Sequence, residues 1–454
     1  MMNHTRRHLL QGLTASTALA SLTRFGVNDA LAQAAPNDYK ALVCVFLFGG
    51  NDGNNMIIGA DTAGYAEYAK ARSVASGINI AQSELKQFQP RANSRVFGFH
   101  PSLTKVHPLF TSGQLAVLAN VGPLNSPMTK AQYQANTDRP FQLFSHADQQ
   151  AQWQSAISDE VARYGIGGRT ADVMAASNAG SSMPVITSLA GTHLFNQGAA
   201  TSPLAVPSSG SFTLTGANAT DAVGIARTQA LMSLLGQGKE HALVGETADG
   251  LSNAISLSGI VNPVITTSNP TVESLFSTTG NSLAQQLQQV AKLIAARGTF
   301  GVKRQIFFVS LGGFDTHANQ LATQAALLTN LDNALKSFYD ATAALGVANN
   351  VTTFTMSDFG RTFLPASGGG SDHAWGNHQL IMGGAVKGGS LYGQFPSLAI
   401  GGADDVSTEG RWLPTTSVDQ YVATLASWFG VPGTQLSQAV PNIDAFGVKN
   451  LGFV

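Results

Sequence analysis

Three short apolar runs in this chain each stop at glycine and a carboxylate. The runs cover 41–48, 305–311 and 351–356, and the turns after them carry Asp52, Asp315 and Asp358. Apolar, β-branched and aromatic residues dominate these runs, which is typical of buried strands in a parallel sheet. Because the carboxyl ends of parallel strands meet at one edge of a sheet, where ligands of α/β folds bind, we expect the three acids to lie close together.

A helical period separates the second run from the third. Apolar residues recur at helical spacing over 320–345, so 305–356 is predicted to be a strand, a helix and a strand, with both strand ends on the same edge. A helix before Gly113 and a strand over 115–121 favour parallel pairing with the first strand. The pattern therefore predicts an α/β fold, a mainly parallel sheet flanked by helices.

The middle of the chain, about 165–299, has a different composition. It is rich in Ala, Ser, Thr, Gly and Asn and poor in charges, although 282–296 has the periodicity of an amphipathic helix. We predict that this part forms a cap or insertion on the sheet. The length of 454 residues leaves one large domain or two open, and we favour a single domain over 35–454.

Residues 1–34 have the features of an export signal rather than of folded structure. Arg6 and Arg7 precede a mildly apolar segment and an Ala-Gln-Ala site that ends at Ala34, the order found in twin-arginine signal peptides. We therefore predict cleavage after Ala34, an encounter with the twin-arginine translocase, and a periplasmic or secreted protein. No later apolar stretch is long enough to predict a membrane span.

Charge and cysteine content exclude several functions. The net charge is −1 and only 11% of residues are charged, so the sequence shows no basic surface for nucleic acid. Cys44 is the sole cysteine, which rules out a disulfide within the chain and leaves no cysteine cluster for a thiolate metal site or an iron–sulfur electron-transfer centre.

Imidazoles accompany two of the three strand-end acids. His317 follows Asp315 by two residues, and His373 and His378 lie within about twenty residues of Asp358 on glycine-rich backbone. Oxygen and imidazole donors gathered in this way suit a divalent metal ion. The sequence alone leaves Zn, Mn, Ca and Mg open.

Two further residues are candidates for catalysis. Ser145 stands at the predicted start of a helix over 146–157, where a hydroxyl near a metal is a potential nucleophile; the alternative is that it only caps the helix. Arg361, three residues after Asp358, has the planar guanidinium that binds oxyanions in bidentate fashion, but a salt bridge is an equally good interpretation.

These motifs resemble those of an exported bacterial family known as domain-of-unknown-function family 1501. The matching pieces are the arginine pair, the Gly-Gly-Asn-Asp turn at Asp52, Ser145-His146, Gly-Gly-Phe-Asp-Thr-His over 312–317, Ser-Asp-Phe-Gly-Arg over 357–361 and Asp-His-Ala-Trp-Gly-Asn-His over 372–378. The family in turn resembles a remote branch of the alkaline phosphatase and sulfatase superfamily. That resemblance implies an α/β hydrolase with metals at the carboxyl ends of its strands.

The resemblance also implies roles for individual residues. Asp52 would be the first-strand acid and Ser145 the nucleophile; Asp315 and His317 would serve one metal, and Asp358 with His373 or His378 would complete the ligands. Two departures stand out: the first Asp-His pair is more closely spaced than is common in the superfamily, and Phe359 takes the place of a histidine. Since phenylalanine cannot bind metal, a full two-metal site would need a substitute ligand, such as His373 from the loop.

The leading hypothesis is a metal-dependent hydrolase of phosphate or sulfate esters, or of a related small anionic substrate, in the periplasm. The alternative is a non-catalytic periplasmic binding or assembly protein that keeps the hydrolase fold. The Phe359 departure supports the alternative, and the gathered acids and histidines support the enzyme.

Overall fold

The computed structural model describes residues 38–212 and 221–454, so the predicted export signal lies outside it. The strands are β1 (Lys40–Leu47), β2 (Ile57–Gly59), β3 (Lys86–Phe88), β4 (Phe97–Phe99), β5 (Leu115–Gly122), β6 (Ile186–Ser188), β7 (Leu204–Ala205), β8 (Arg304–Leu311), β9 (Val351–Ser357), β10 (Asn377–Met382), β11 (Leu391–Gly393) and β12 (Thr416–Ser417). The helices are α1 (Gly53–Met56), α2 (Thr62–Ala71), α3 (Val106–Ser112), α4 (Lys130–Gln134), α5 (His146–Ser155), α6 (Ile166–Met174), α7 (Ala222–Leu234), α8 (Ala242–Thr266), α9 (Pro270–Glu273), α10 (Ser282–Ala295), α11 (Arg297–Phe300), α12 (Gln320–Ala344), α13 (Val418–Phe429) and α14 (Leu436–Ala439).

Strand β1 lies in the middle of the main sheet, which has the order β11-β5-β10-β9-β1-β8-β6-β7. It pairs in parallel with β8 on one side and with β9 on the other, and Leu47 stands level with both Leu311 and Ser357. The three predicted strands are thus confirmed as neighbours that end at the same edge. The turns after them start from adjacent points.

Strand β10 runs against the other strands of the main sheet. It pairs antiparallel with β9 and with β5, so β5 has the direction of β1 but is not its neighbour, which differs from the expected direct pairing. The reason is local: β9 ends at the carboxyl edge, the loop 358–376 stays there, and a strand that starts at this edge must run back.

Alternate residues of β1 enter two separate hydrophobic layers. Val43 and Val45 belong to the layer that contains α10 and α12, whereas Cys44 and Phe46 belong to the layer that contains α6 and α13. All four side chains are fully buried, and each buried apolar side chain contributes about 1.5–3 kcal/mol to folding. Helices on both faces of a mostly parallel sheet confirm the α/β prediction.

Part of the middle region is built into this sheet. Strands β6 and β7 extend it beyond β8, and α10 packs into the core beside α12. The division of the chain into one domain with a cap over 165–299 stays a prediction. Within 38–212 and 221–454, no helix combines the length and apolarity needed to cross a bilayer.

Candidate metal centre

The turn after β1 brings the three strand ends into contact. Gly49 has a φ of 109°, and a Cβ placed on it would lie 2.4 Å from the Asp315 backbone nitrogen. Its N–H donates to Asp358 Oδ1 at 3.1 Å, and its carbonyl accepts from Arg361 at 2.7 Å. Only glycine fits against the turn after β8, and the Gly49 backbone bonds two side chains of the turn after β9.

Three imidazoles surround the carboxylate of Asp315. Its Oδ1 lies 3.0 Å from His317 Nε2 and 3.3 Å from His373 Nε2, and its Oδ2 lies 3.5 Å from His146 Nε2. The ligand atoms of His146, Asp315 and His373 all fall within 4.8 Å of one another. The Asp315 and His317 side chains are each 46% exposed, so the cluster has an open face.

The opposite nitrogen of each ring faces an acceptor. His146 Nδ1 lies 2.7 Å from Asp358 Oδ2, His317 Nδ1 lies 2.9 Å from Asp372 Oδ1, and His373 Nδ1 lies 2.8 Å from the Phe144 carbonyl oxygen. Carboxylate and carbonyl oxygens only accept, so they suit a ring hydrogen on Nδ1. A neutral ring in that tautomer has a lone pair on Nε2, where a metal ion binds.

The three Nε2 atoms differ in what they face. His146 Nε2 is buried without a hydrogen-bond partner, and the Nε2 atoms of His317 and His373 face each other at 2.9 Å. Buried polar atoms are normally satisfied, and two lone pairs at this distance repel unless a proton or cation lies near both. The donor set of three imidazoles and one carboxylate fits a transition-metal ion or Zn²⁺.

Burial keeps the His373 ring in the neutral state that binds metal. It lowers the pKa of His373 below its usual range, more than the bond to the Phe144 carbonyl raises it. Burial would also raise the pKa of Asp315, but the Arg361 guanidinium bonded to this carboxyl holds its pKa below the usual range. Asp315 is thus ionised at neutral pH.

Asp358 acts on His146 rather than on the centre of the cluster. The side chain of Asp358 is fully buried, and its Oδ2 also accepts a 2.7 Å bond from Gln150 Nε2. A carboxylate behind a histidine in this way fixes the ring and raises its basicity. The position suits an outer carboxylate of a metal site, with His146 between it and the ion.

Arg361 is occupied by the protein itself. Its guanidinium donates to the carbonyl oxygens of Gly49, Gly50 and Ser371 and to Asp315 Oδ1, and its side chain is fully buried. These bonds correspond to the salt-bridge interpretation and leave the guanidinium no exposed side for a substrate oxyanion.

Two predicted ligands are not brought to the cluster. The buried Asp52 carboxylate contacts Arg72 at 2.6 Å and the N–H of Asn54, so its negative charge is already balanced. His378 is buried in β10, where its Nδ1 accepts from the Asn120 N–H at 3.1 Å. Burial lowers the pKa of His378 to about 4, so the ring is neutral.

Ser145 stands next to the cluster at the N-cap of α5. Its hydroxyl donates to Asp148 Oδ2 at 2.6 Å and makes no capping bond. Phe359 packs beside the ligands, with its ring centroid 4.8 Å from that of His146 and 4.5 Å from that of His373. It fills the space behind two imidazoles with an apolar ring.

His146 is the cluster residue that the sequence reasoning missed. The signal for it is the Ser145-His146 pair at a helix start, which is one of the motifs that carry the family resemblance. The first turn of a helix presents its side chains at the sheet edge together with its free N–H groups. The histidine, not only the serine, is placed there.

Comparison with protein families decides the affiliation. The model of the family described as "Protein of unknown function (DUF1501)" matches residues 39–411. The chain belongs to this family. Every residue of the candidate cluster and the two carboxylates behind it falls inside the matched range. No curated protein sequence matches the chain.

Solved structures with a similar fold are distant from this DUF1501 member. One is described as Ps i-CgsB in complex with k-i-k-neocarrahexaose, with 10% identity, a TM-score of 0.34, and coverage of 91% of this chain and 75% of that one. Another is the alkaline phosphatase of the Antarctic bacterium TAB5, with 11% identity, a TM-score of 0.29, and coverage of 76% and 91%. A mutant of the TAB5 enzyme with Mg bound in its M3 site gives 11%, 0.29, 75% and 90%.

Proposed function

We propose that this DUF1501 protein is a metal-dependent hydrolase of phosphate or sulfate esters, or of a related small anionic substrate. One observation carries the proposal: three imidazole Nε2 lone pairs and the Asp315 carboxylate converge at the carboxyl edge of the sheet, with an open face. His146, His317, His373 and Asp315 would hold the ion. Imidazole donors favour Zn over Ca or Mg, which prefer oxygen ligands.

A bound divalent ion would supply Lewis acidity and a lowered pKa for water or a hydroxyl group near it. The chain's own residues do the rest. Asp358 and Asp372 hold two of the rings, Arg361 fixes the carboxylate of Asp315, and Ser145 offers a hydroxyl beside His146. Asp148, which accepts from that hydroxyl, is placed to take its proton.

The first test is metal content and activity of the mature protein, residues 35–454. We expect elemental analysis to find about one equivalent of Zn or Mn, and aryl phosphates or sulfates to be cleaved in a metal-dependent way. His146→Ala should abolish both, whereas His241→Ala, at an exposed histidine outside the cluster, should change neither. A wild-type protein without metal, whose stability a chelator leaves unchanged, contradicts the proposal.

A second candidate is a non-catalytic periplasmic binding protein. The specific observation in its favour is Phe359, which stands where the resemblance to the superfamily implies a histidine, and whose apolar ring packs against His146 and His373. Wild-type protein that takes up metal but turns over neither ester class would select this candidate. Ser145→Ala should then take up metal as wild type does.

We also propose that the chain is exported to the periplasm through the twin-arginine translocase. The support is the order of the arginine pair, apolar segment and Ala-Gln-Ala site in residues 1–34. Replacing Arg6 and Arg7 together by Lys should keep the full chain in the cytoplasm in uncleaved form. Equal periplasmic recovery of both forms would refute export by this pathway.

A further inference from the structure

The loop between β9 and β10 supplies two side chains to the metal centre. His373 is a proposed ligand, and Asp372 accepts the Nδ1–H of His317. The backbone just before them lies against the turn that leads into α12: the Ser371 N–H donates to the Thr316 carbonyl at 3.1 Å. The position of this loop therefore decides where two of the three imidazoles stand.

Gln320, the first residue of α12, holds this loop through hydrogen bonds. Its backbone N–H donates to the Gly369 carbonyl at 2.9 Å, and its side-chain Oε1 accepts from the Ser371 hydroxyl. The Gln320 side chain is fully buried. Two bonds from one residue thus hold the loop on either side of Gly370.

The other end of the Gln320 amide is tied to Asp52. Its Nε2 donates to Asp52 Oδ2. Because a carboxylate only accepts, the amide must turn its NH₂ towards Asp52, which leaves Oε1 to accept from Ser371. The orientation of the amide is fixed by chemistry, and both of its polar atoms are used.

Asp52 is itself immobilised by a buried ion pair. Arg72 donates to it through Nη1 at 2.6 Å and through Nη2 at 3.2 Å, and both side chains have no exposed area. Arg72 Nε also donates to the Phe363 carbonyl at 2.9 Å. Such a pair is a firm anchor, since removal of either partner would leave an unpaired buried charge.

We propose that Gln320 is a positioning residue that couples the Asp52–Arg72 pair to the ligand-bearing segment 369–373 and thereby sets the affinity of the metal centre. The same segment is joined to the acid ligand, because the Ser371 carbonyl accepts from Arg361, which also bonds Asp315. Asp52 thus acts on the centre through Gln320 rather than as a ligand. The inference rests on the proposed function only in requiring that the cluster binds metal.

The test compares two glutamines one turn apart on α12. Gln324 is also buried; its amide donates to the Asp52 carbonyl at 2.8 Å and to Asn51, its Oε1 lies 3.5 Å from Gln320 Nε2, and it makes no bond to the loop. Zn²⁺ titrated into chelator-treated protein should bind Gln320→Met about 10- to 100-fold more weakly than wild type, as loss of an outer-shell partner typically does. Gln324→Met should keep wild-type affinity, and the visible spectrum of the Co²⁺-loaded protein should change only for Gln320→Met.

Ser371→Ala provides the second variant, since it removes one hydroxyl and leaves the Asp52 contact intact. Weaker Zn²⁺ binding by this variant supports the coupling even if Gln320→Met does not fold. Wild-type affinity in Gln320→Met or Ser371→Ala, or an equal loss in Gln324→Met, overturns the inference. If wild-type protein takes up no Zn²⁺, Mn²⁺ or Co²⁺, both the inference and the proposed function fail. If wild-type protein binds metal and Gln320→Met binds it equally well, only the inference fails.

Discussion

At the scale of single residues, the cluster brings the Nε2 atoms of three rings to one carboxylate that is already paired with a guanidinium. Asp315 bonds Arg361, and the Nε2 atoms of His146, His317 and His373 each lie within 3.5 Å of the Asp315 carboxylate. Within the cluster, His146 Nε2 is buried without a hydrogen-bond partner, and an unsatisfied buried group costs about 1–3 kcal/mol. A cation at the proposed site would pair with this atom.

Substitutions at His146 and Asp358 separate the inner ligands from the outer carboxylate. We expect His146→Ala to lose tight Zn²⁺ binding, and Asp358→Asn to weaken it by about 10-fold or more because the ring loses its charged acceptor. Isothermal titration measures both. Equal affinities for wild type and Asp358→Asn would show that His146 is not held through Asp358.

Asp419 gives a residue-scale prediction outside the metal centre. It lies at the start of α13, it is 2% exposed, and its Oδ1 has no hydrogen-bond partner. Burial raises the pKa of Asp419 from 3.8 to about 7. Between these two values the folded protein keeps a proton that the unfolded chain has released, so stability falls as pH rises through this window and levels off above it.

Asp419→Asn should remove this part of the pH dependence. The free energy of unfolding of wild-type protein should decrease between pH 4 and pH 8. In Asp419→Asn this decrease should be smaller by roughly 2–4 kcal/mol, as the size of the pKa change implies. Urea unfolding of the two proteins across this range provides the measurement. Asp444→Asn, at an exposed carboxylate, is the control; an unaltered pH dependence in Asp419→Asn would mean that Asp419 is ionised in the folded state.

At the scale of elements, the sheet edge was the most predictable part of the molecule. Strong apolar periodicity fixed β1, β8, β9 and the helix α12, and the rule that parallel strands end together predicted the meeting of Asp315 with Asp358. The antiparallel β10 was not anticipated, because its short apolar run carries no sign of direction.

Side-chain partners could not be predicted from the same patterns. Asp52 lies at the expected strand end, but its carboxylate forms an ion pair with Arg72, twenty residues further along the chain. The spacing of these two residues does not predict the pair. His378 and His373 lie five residues apart in one motif, but the start of β10 at Asn377 buries the first and leaves the second at the edge. These outcomes depend on packing, not on local sequence.

The turn after β1 offers an element-scale test. Gly49→Ala should destabilise the protein by more than about 2 kcal/mol, because the added methyl group meets the Asp315 backbone and a positive φ is strained for alanine. Gly250→Ala, in the middle of α8 with open space around it, should stabilise by about 0.5–1 kcal/mol. Denaturant unfolding of both variants decides; a tolerated Gly49→Ala would contradict the close approach of the turns.

At the scale of the whole molecule, the metal centre ties together segments that are far apart in sequence. Its proposed ligands come from the start of α5, from the turn after β8 and from the loop after β9. An ion that binds only when these segments are assembled stabilises the folded state, by about 2.7 kcal/mol at a free concentration of 100 times Kd. The melting temperature should rise with Zn²⁺ or Mn²⁺, fall with chelator, and stay constant in His146→Ala.

The thiol of Cys44 can report how often the folded protein opens. It is the sole thiol of the chain and lies in β1 with no exposed area, so a thiol-reactive dye reaches it only when the central strand separates from its neighbours. The labelling rate therefore measures global unfolding events rather than local fraying. Addition of Zn²⁺ should slow the labelling of Cys44 in wild-type protein and leave the labelling rate unchanged in His146→Ala. This result would show that metal binding at the sheet edge stabilises the central strand.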